Sequence, residues 1–539
     1  MEKELLTREQ LHHENPDDLI SLILSQQEEI RELRKLTDLM SEEIQGLRNA
    51  RFGRSSEKDL TGDQLSFAEA FNEAEKALEE PCEEPQLEEV TYRRKKRSGK
   101  RDEDLSGLPV TVVEHRLPEA ELEEFFPEGY EQFPDEVHRT LSYHPATFEV
   151  LEHHIAVYHG KNGIIRRAEC PEELLKSSIV TPSLAAGIMN AKYVNAIPLY
   201  RLEKEFERQG IPIRRQNMAH WMIRLSERYF SPLLDRMKAQ LFTHPVIHAD
   251  ETPVKVSKDG RKAGANSYMW VYRSNEKDDH PVLLYDYRRT RGTDQLKDFL
   301  EGYAGTIVSD GYVSYHKMAT DFPKRIRVSG CWAHARRKFA EIIKSASGSD
   351  RKKPKYTLAS YAVGQIANIY HLDNQLTNVS PEERKKERDL TIRPIAEALF
   401  AWAEAHRPEV TKGSSIGKAL DYMLNQKAYL MAFLDDPAIP LDNNCAERAI
   451  RPFVIGKKNW HLIDTVYGAE ASAMIYSIAE TAKANGLKPY EYFKYLLEEL
   501  PGYLEGTDIR ALDDLLPWTD NVRTRCQSEP LKESESEND

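Results

Sequence analysis

Between Pro245 and Trp332, five short apolar, β-branched runs alternate with turns: PVIHAD, SYMWVYRS, PVLLYDY, GTIVSD and RIRVSGCW. Runs of this length bounded by turn residues read as strands, and one helical stretch, TDQLKDFLEGY, precedes the fourth. After CWAHARRKFAEIIKSA the periodicity turns helical for nearly a hundred residues, until PAIPLDNN. The pattern predicts an α/β unit over 233–480 with a long helical insertion at about 340–438. A chain of 539 residues is too long for one core, so further units flank it and the fold class is multidomain α/β.

Two of the apolar runs end on aspartates, Asp250 and Asp310, and a third acid, Glu447, stands beside asparagines at a helix start. Asp310 lies 60 residues after Asp250, and Glu447 a further 137. Carboxylates delivered this way can share two divalent cations, Mg²⁺ or Mn²⁺. Two such ions about 4 Å apart activate an attacking oxygen and stabilise a leaving one at phosphorus. Clustered carboxylates repel one another until metal relieves them. On this reading Asp250 bridges both ions, and Asp310 and Glu447 each complete one. A strand-rich sheet interrupted before its last acid fits an RNase H-like catalytic core. Glu251, Asp286, Asp294 and Asp442 compete for the same role, although Asp286 is followed by YRRTRG, where Arg288 or Arg289 can pair with it. Spacing alone leaves that choice open.

The net charge of −14 looks wrong for a partner of nucleic acid, since phosphate binding relies on Lys and Arg. Two segments carry it: Asp63–Val90 contributes −9 and Gly502–Asp539 −6, leaving the rest of the chain at about +1. Both are poor in apolar residues, so 54–107 reads as a charged flexible linker and 518–539 as an acidic disordered tail. Within the linker, YRRKKRSGKR can follow a phosphate backbone or serve as a solvated spacer. Upstream, Leu19, Ile23, Gln26, Ile30, Leu33, Thr37, Met40, Ile44 and Leu47 keep a four-three spacing, which predicts an N-terminal coiled coil over 1–53 and a homo-oligomer. A helix packed on its own domain is the alternative. No apolar run reaches the roughly 18 residues of a membrane span, so no membrane partner and a cytoplasmic location are expected.

Thr181–Phe230 reads as three helices, with Gly210 and IPI between the last two. That is helix-turn-helix geometry over 176–232, and it would set Arg214, Arg215, Gln216 and Asn217 against DNA. A plain helical hairpin has the same pattern. Arg448, Arg451, Lys457 and Lys458 follow Glu447 closely and can neutralise phosphates near a scissile bond, while Pro452 ends or kinks their helix. Trp332 and Trp460 can stack on a displaced base or lie buried. His334, spaced from Cys331 as CxxH, either supports the site, contacts DNA or is structural. A small helical unit is expected over 481–517.

The segments HADETP, SDGYVSY, CWAHARRKF and NNCAERAIRPFVIGKKNW, in this order, resemble those of the insertion sequence 66 family of bacterial DDE transposases. The similarity extends from the heptad helix and RFGRSSEK through KYVNAIPLYRLEKEFERQG to the C-terminal helical unit. It implies that Asp250, Asp310 and Glu447 are the acidic triad. It also implies metal-dependent cutting and joining of transposon ends, with terminal inverted repeats and target DNA as partners and small element-encoded proteins as possible accessories. Family members commonly carry a cysteine-bearing, zinc-finger-like segment, for which 108–175 is the degenerate counterpart. It has YHGKNG in place of paired cysteines, and Cys170 alone cannot make the site, so no structural zinc is expected. His153, His154 and His159 read as surface strand residues. A structure-specific nuclease on the same core and a catalytically inactive DNA-binding regulator remain the alternatives.

Overall fold

The computed structural model describes residues 20–21, 23–31, 37, 147–159, 165–168, 173–262, 264–345, 357–504 and 509–527. Of the heptad segment, 20–21, 23–31 and 37 are helical. Leu19, Leu33, Met40, Ile44 and Leu47, the linker 54–107, the basic run, Cys170 and residues 528–539 lie outside the described residues. The chain separates into two compact units, described here over 179–527 and 147–178.

In the smaller unit, β1 (Val157–His159) pairs antiparallel with β2 (Ile165–Arg167), with Val157 opposite Arg167. His153 and His154 are exposed in extended chain ahead of the hairpin, and His154 meets Glu152 at 3.3 Å.

The larger unit opens with three helices where the periodicity put them: α1 (Pro182–Met189, capped by the Thr181 hydroxyl), α2 (Leu199–Arg208) and α3 (Arg215–Leu225). Gly210, at φ +78°, makes the turn into α3, a backbone conformation that glycine adopts without strain. Helix α4 (Ser231–Leu241) leads into the sheet. Its strands are β3 (Val246–Lys258), β4 (Asn266–Arg273) and β5 (Leu283–Arg288), then, after α5 (Thr293–Phe299), β6 (Gly305–Ser309). Helix α6 (Val313–Asp321) and β7 (Ile326–Gly330) complete this run. The order is β5-β4-β3-β6-β7, with β3, β4 and β5 antiparallel and β6 and β7 parallel to β3.

Strand β3 runs eight residues beyond Asp250, so the aspartate expected at its end sits inside it. The extension alternates: Val254 and Val256 are buried while Pro253 and Lys255 are exposed, the pattern of a half-buried strand. Pro253 is tolerated because its carbonyl faces away from β4, toward Lys457 Nζ at 2.7 Å, so the missing N–H takes no bond from that ladder.

Helix α7 (Trp332–Ser345) begins the helical region, followed by α8 (Leu358–Gln375), α9 (Pro381–Glu387), α10 (Arg393–His406), α11 (Ser415–Asn425) and α12 (Lys427–Leu430). Trp332, Phe339, Ile366, Ile369, Leu399, Phe400 and Met423 form its core. A buried guanidinium pins it: Arg388 donates to Asp373 Oδ1 at 2.7 Å and to the carbonyls of Phe433 at 2.7 Å and Ile439 at 3.1 Å.

Helix α13 (Asn444–Trp460) then carries Glu447 back to the sheet, β8 (Ile463–Thr465) pairs with the far end of β3, and α14 (Val466–Ala484) lies on β5. There Ser477 Oγ accepts from Tyr285 N at 2.7 Å, and Thr481 Oγ1 accepts from Leu283 N at 3.0 Å. These helix hydroxyls satisfy a sheet edge that would otherwise be open. Helix α15 (Pro489–Leu504) and α16 (Asp520–Cys526) end the unit. The tail expected to be disordered from residue 518 is thus ordered to Gln527, because Val522 and Cys526, one helical turn apart, are buried and Lys488 N donates to Cys526 O at 2.8 Å. Among the described residues, no helix is long and apolar enough to cross a membrane.

Candidate active site

The strand ladder brings the two aspartates together. In the parallel pair β3–β6, Val246 faces Thr306, Ile247 faces Ile307 and His248 faces Val308. Two residues beyond the last of these pairs stand Asp250, inside β3, and Asp310, one residue past the end of β6, so the register carries both toward the same end of the strand pair. Asp250 Oδ1 accepts from the Glu251 amide at 2.9 Å, and Asp310 Oδ1 from the Tyr312 amide at 2.9 Å. Burial, then the charges of Glu251, Asp310 and Glu447, hold the Asp250 carboxyl well above the usual carboxylate range.

Glu447 arrives on the first turn of α13, and side chains rather than a ladder fix that helix start. Asn443, 1 % exposed, is the fastening. Its Oδ1 lies 3.0 Å from His248 Nδ1, its Nδ2 donates to Ala249 O at 2.8 Å, and its own amide donates to Cys331 Sγ at 3.2 Å. Because Asn443 Oδ1 accepts, His248 carries its proton on Nδ1. Burial pushes the His248 imidazole down to about 4, so it is neutral. Asp442 accepts from the Asn444 amide at 3.0 Å and from Asn444 Nδ2 at 2.8 Å, which defines the turn into the helix.

The glutamate itself is held on the side of α7. Arg337 Nη2 donates to Glu447 Oε2 at 3.0 Å, and His334 Nδ1 faces Glu447 Oε1 at 3.5 Å. Cys331, His334 and Glu447 are the set of three metal-capable side chains whose ligand atoms come within 4.8 Å of one another among the described residues. The predicted trio of Asp250, Asp310 and Glu447 does not close to that distance.

The competing acids have other occupations. Glu251 accepts from Tyr315 Oη at 2.7 Å and from Arg291 Nε at 2.6 Å, and the same guanidinium reaches within 3.9 Å of Asp310. Asp286 is paired with Arg288 at 2.6 Å, as its neighbours implied, and burial raises its carboxyl to about 6. Asp294 is exposed in the first turn of α5.

The predicted DNA contacts divide. Arg214, Arg215, Gln216 and Asn217 are all exposed at the start of α3, where the Arg215 amide donates to Glu203 Oε1 at 3.1 Å and its guanidinium lies over the Tyr200 ring. Arg451 is half-buried on α13, and Lys458 is exposed. Arg448 pairs with Glu276 at 2.7 Å, and Lys457 bonds Thr252 Oγ1 at 3.2 Å and Pro253 O, so both are engaged within the chain. Trp332 is closed to a base: it is 0 % exposed and donates through Nε1 to Leu430 O at 2.8 Å. Trp460 is half-buried with Lys192 Nζ 4.9 Å from its ring, and Gly456 packs so tightly beneath it that an added Cβ would stand 2.3 Å from the indole. Asn443, His248, Arg291 and Arg337 escaped the sequence reading. All four lie in or beside the motifs, but their partners are far along the chain.

Comparison with known proteins gives this geometry a context. The model of the Transposase IS66 family matches residues 177–471, which is more than half of the chain. The IS66 C-terminal element matches 477–518, and Transposase C of IS166 homeodomain matches 39–113. The uncharacterized protein y4jD of Sinorhizobium fredii is 28% identical over 366 residues, covering 66% of this chain and 69% of its own length. The uncharacterized protein y4qI of the same organism is 27% identical over 370 residues, covering 67% of this chain and 66% of its own. With the family come DNA as partner, DNA-binding helix-turn-helix features and a general use of divalent metal ions. The chain belongs to the IS66 family of transposases.

Proposed function

We propose that the chain is a DDE-type DNA transposase with an RNase H-like core, in which Asp250, Asp310 and Glu447 are the catalytic acids. The observation that carries this reading is the β3–β6 register, which carries Asp250 and Asp310 toward the same end of the strand pair while Asn443 ties the helix of Glu447 to β3. The mixed sheet with a helical insertion ahead of the third acid supports the core assignment.

The donor set fits two hard cations, Mg²⁺ or Mn²⁺: all three ligands are carboxylates, and Asp250 is crowded by like charges that a cation would relieve. When bound, such ions activate the attacking oxygen and stabilise the leaving one. The protein residues orient the reaction. Asp250 and Asp310 are held by their amide bonds, Arg291 balances the charge of Glu251 and Asp310, and Asn443 and His248 keep α13 in place. Water attacks a phosphodiester at the element's end and frees a 3′-hydroxyl, which then attacks target DNA in a second in-line displacement at the same acids.

In this reading Arg214, Arg215, Gln216 and Asn217 read the terminal repeats from the exposed start of α3, and Arg451 and Lys458 approach the phosphates. Arg448 and Lys457 act indirectly, by securing α13. Ile23 and Ile30, seven residues apart and 52 % and 49 % exposed, support a self-associating N-terminal helix. Small element-encoded proteins complete the assembly.

The test incubates labelled end DNA and target DNA with the full chain and Mg²⁺. Joined products that vanish in Asp310→Asn, while end binding persists, are the expected result. Cleavage without joining would make the protein a nuclease. End binding with no cleavage, together with full transposition by Asp310→Asn in cells, would make it a regulator.

A further inference from the structure

We propose that Cys331, His334 and Glu447 form a second, separate metal site, selective for a soft divalent cation of the zinc class, whose occupation withdraws Glu447 from the aspartates. The regulatory half of this proposal rests on Glu447 being a catalytic acid; the binding half does not.

The three ligand atoms already lie within 4.8 Å of one another. Two ligands about 2.1 Å from a tetrahedral ion stand about 3.5 Å apart, and His334 Nδ1 and Glu447 Oε1 are separated by 3.5 Å. Neither of those two atoms makes a hydrogen bond, although both are enclosed. A buried acceptor and a buried ring nitrogen facing each other unbonded is a costly arrangement, which a shared cation would resolve.

The sulfur is prepared in a different way. Cys331 directly precedes the first residue of α7, and its Sγ accepts from the Asn443 amide at 3.2 Å and from the His334 amide. Two N–H donors and a helix N-terminus favour a thiolate. Binding of a cation by the sulfur displaces the thiol proton. Thiolate, imidazole and carboxylate together select Zn²⁺ or Cd²⁺ over Mg²⁺. This set differs from the three carboxylates in donor chemistry and shares one residue with them. One glutamate therefore stands between a hard and a soft site, and filling the second depletes the first.

The test uses the full chain with Cys82 and Cys170 changed to Ser, freed of metal and titrated with Cd²⁺. One equivalent should produce the thiolate-to-cadmium charge-transfer absorption. Cys331→Ser, whose hydroxyl still accepts the two amides, should abolish it, and Cys445→Ser should leave it intact. His334→Ala should weaken binding by at least about tenfold. Absence of the band in the parent, or its persistence in Cys331→Ser, overturns the site. In a second arm, Zn²⁺ should raise the Mg²⁺ concentration needed for end cleavage in the parent but not in Cys331→Ser. An equal shift in both overturns the withdrawal of Glu447. If the parent does not cleave at all, the proposed function fails while the Cd²⁺ arm still decides the site.

Discussion

The end of the β3–β6 strand pair and the start of α13 hold their candidate carboxylates by different physical means. Asp250 and Asp310 are positioned by a backbone ladder, whose bonds are indifferent to the side chains flanking them. Glu447 is positioned by Asn443, His248 and Arg337, through contacts that depend on side chains with their own rotamers and, for His248, its own protonation state. A ladder tolerates substitution and holds distance; a side-chain fastening is easily undone and can be regulated. The aspartates are therefore the fixed half of the candidate site and Glu447 the adjustable half.

Removing a proposed ligand from the fixed half should have the largest effect. Asp250→Asn is expected to lower end cleavage by on the order of 10³-fold or more, the scale of losing a principal electrostatic group. Because charge on Asp250 is disfavoured in the fold, the same change should raise the melting temperature of the metal-free protein while abolishing its stabilisation by Mg²⁺. A lower melting temperature would contradict the crowding of these acids.

Next in size is the fastening. Asn443→Ala leaves His248 Nδ1 and Ala249 O without partners, at about 1–3 kcal/mol for each buried group. Urea denaturation should show a loss of about 2–6 kcal/mol, and hydrogen exchange should quicken in α13 before it does in β3 or β6. Equal loosening of both elements would erase the distinction.

Acid should reach the same fastening without mutation. The His248 imidazole has its folded value near 4 against 6.5 for the free side chain, so folding favours its neutral form. That contribution is complete above pH about 6.5 and is lost as pH falls toward 4, up to roughly 3 kcal/mol. The slope of stability against pH across this window, measured by denaturation, should diminish in His248→Gln.

The smallest effect concerns the hold on Glu447. An ion pair with Arg337, which is 49% exposed, stabilises by about 0.2–1 kcal/mol. Arg337→Ala should thus free the glutamate and lower the Mg²⁺ concentration for half-maximal cleavage by a few-fold at most. A rise would mean that Arg337 positions Glu447 for catalysis.

What could be read in the sequence follows the same division. The placement of Asp250 and Asp310 at β3 and β6 was legible because an apolar run followed by an acid is a local signal, and the strand pattern carries it. The three helices before the sheet were legible through their periodicity. The far half of β3 was missed because its alternation follows a proline, and the last helix because two buried residues are a weak stripe. The fastening was hidden for a deeper reason. Asn443 and His248 are 195 residues apart, and Arg337 and Glu447 are 110 apart. Composition records that Arg448 and Lys457 are charged, but not that Glu276 and the Thr252–Pro253 segment have already claimed them.

Helix α13 is tied to β3 at both ends, by Asn443 to His248 and Ala249 at the front and through β8 to Val256 at the rear. Its 17 residues rise about 25 Å, and the strand from His248 to Val256 advances about 26 Å. The two form a matched pair of spans between common anchorages. Gain or loss of one residue in either would shear its anchorage out of alignment, whereas the helical region between Ser345 and Asn443 can change length without disturbing that fit. In a lineage of such chains, insertions and deletions should accumulate in the latter and be absent from the former.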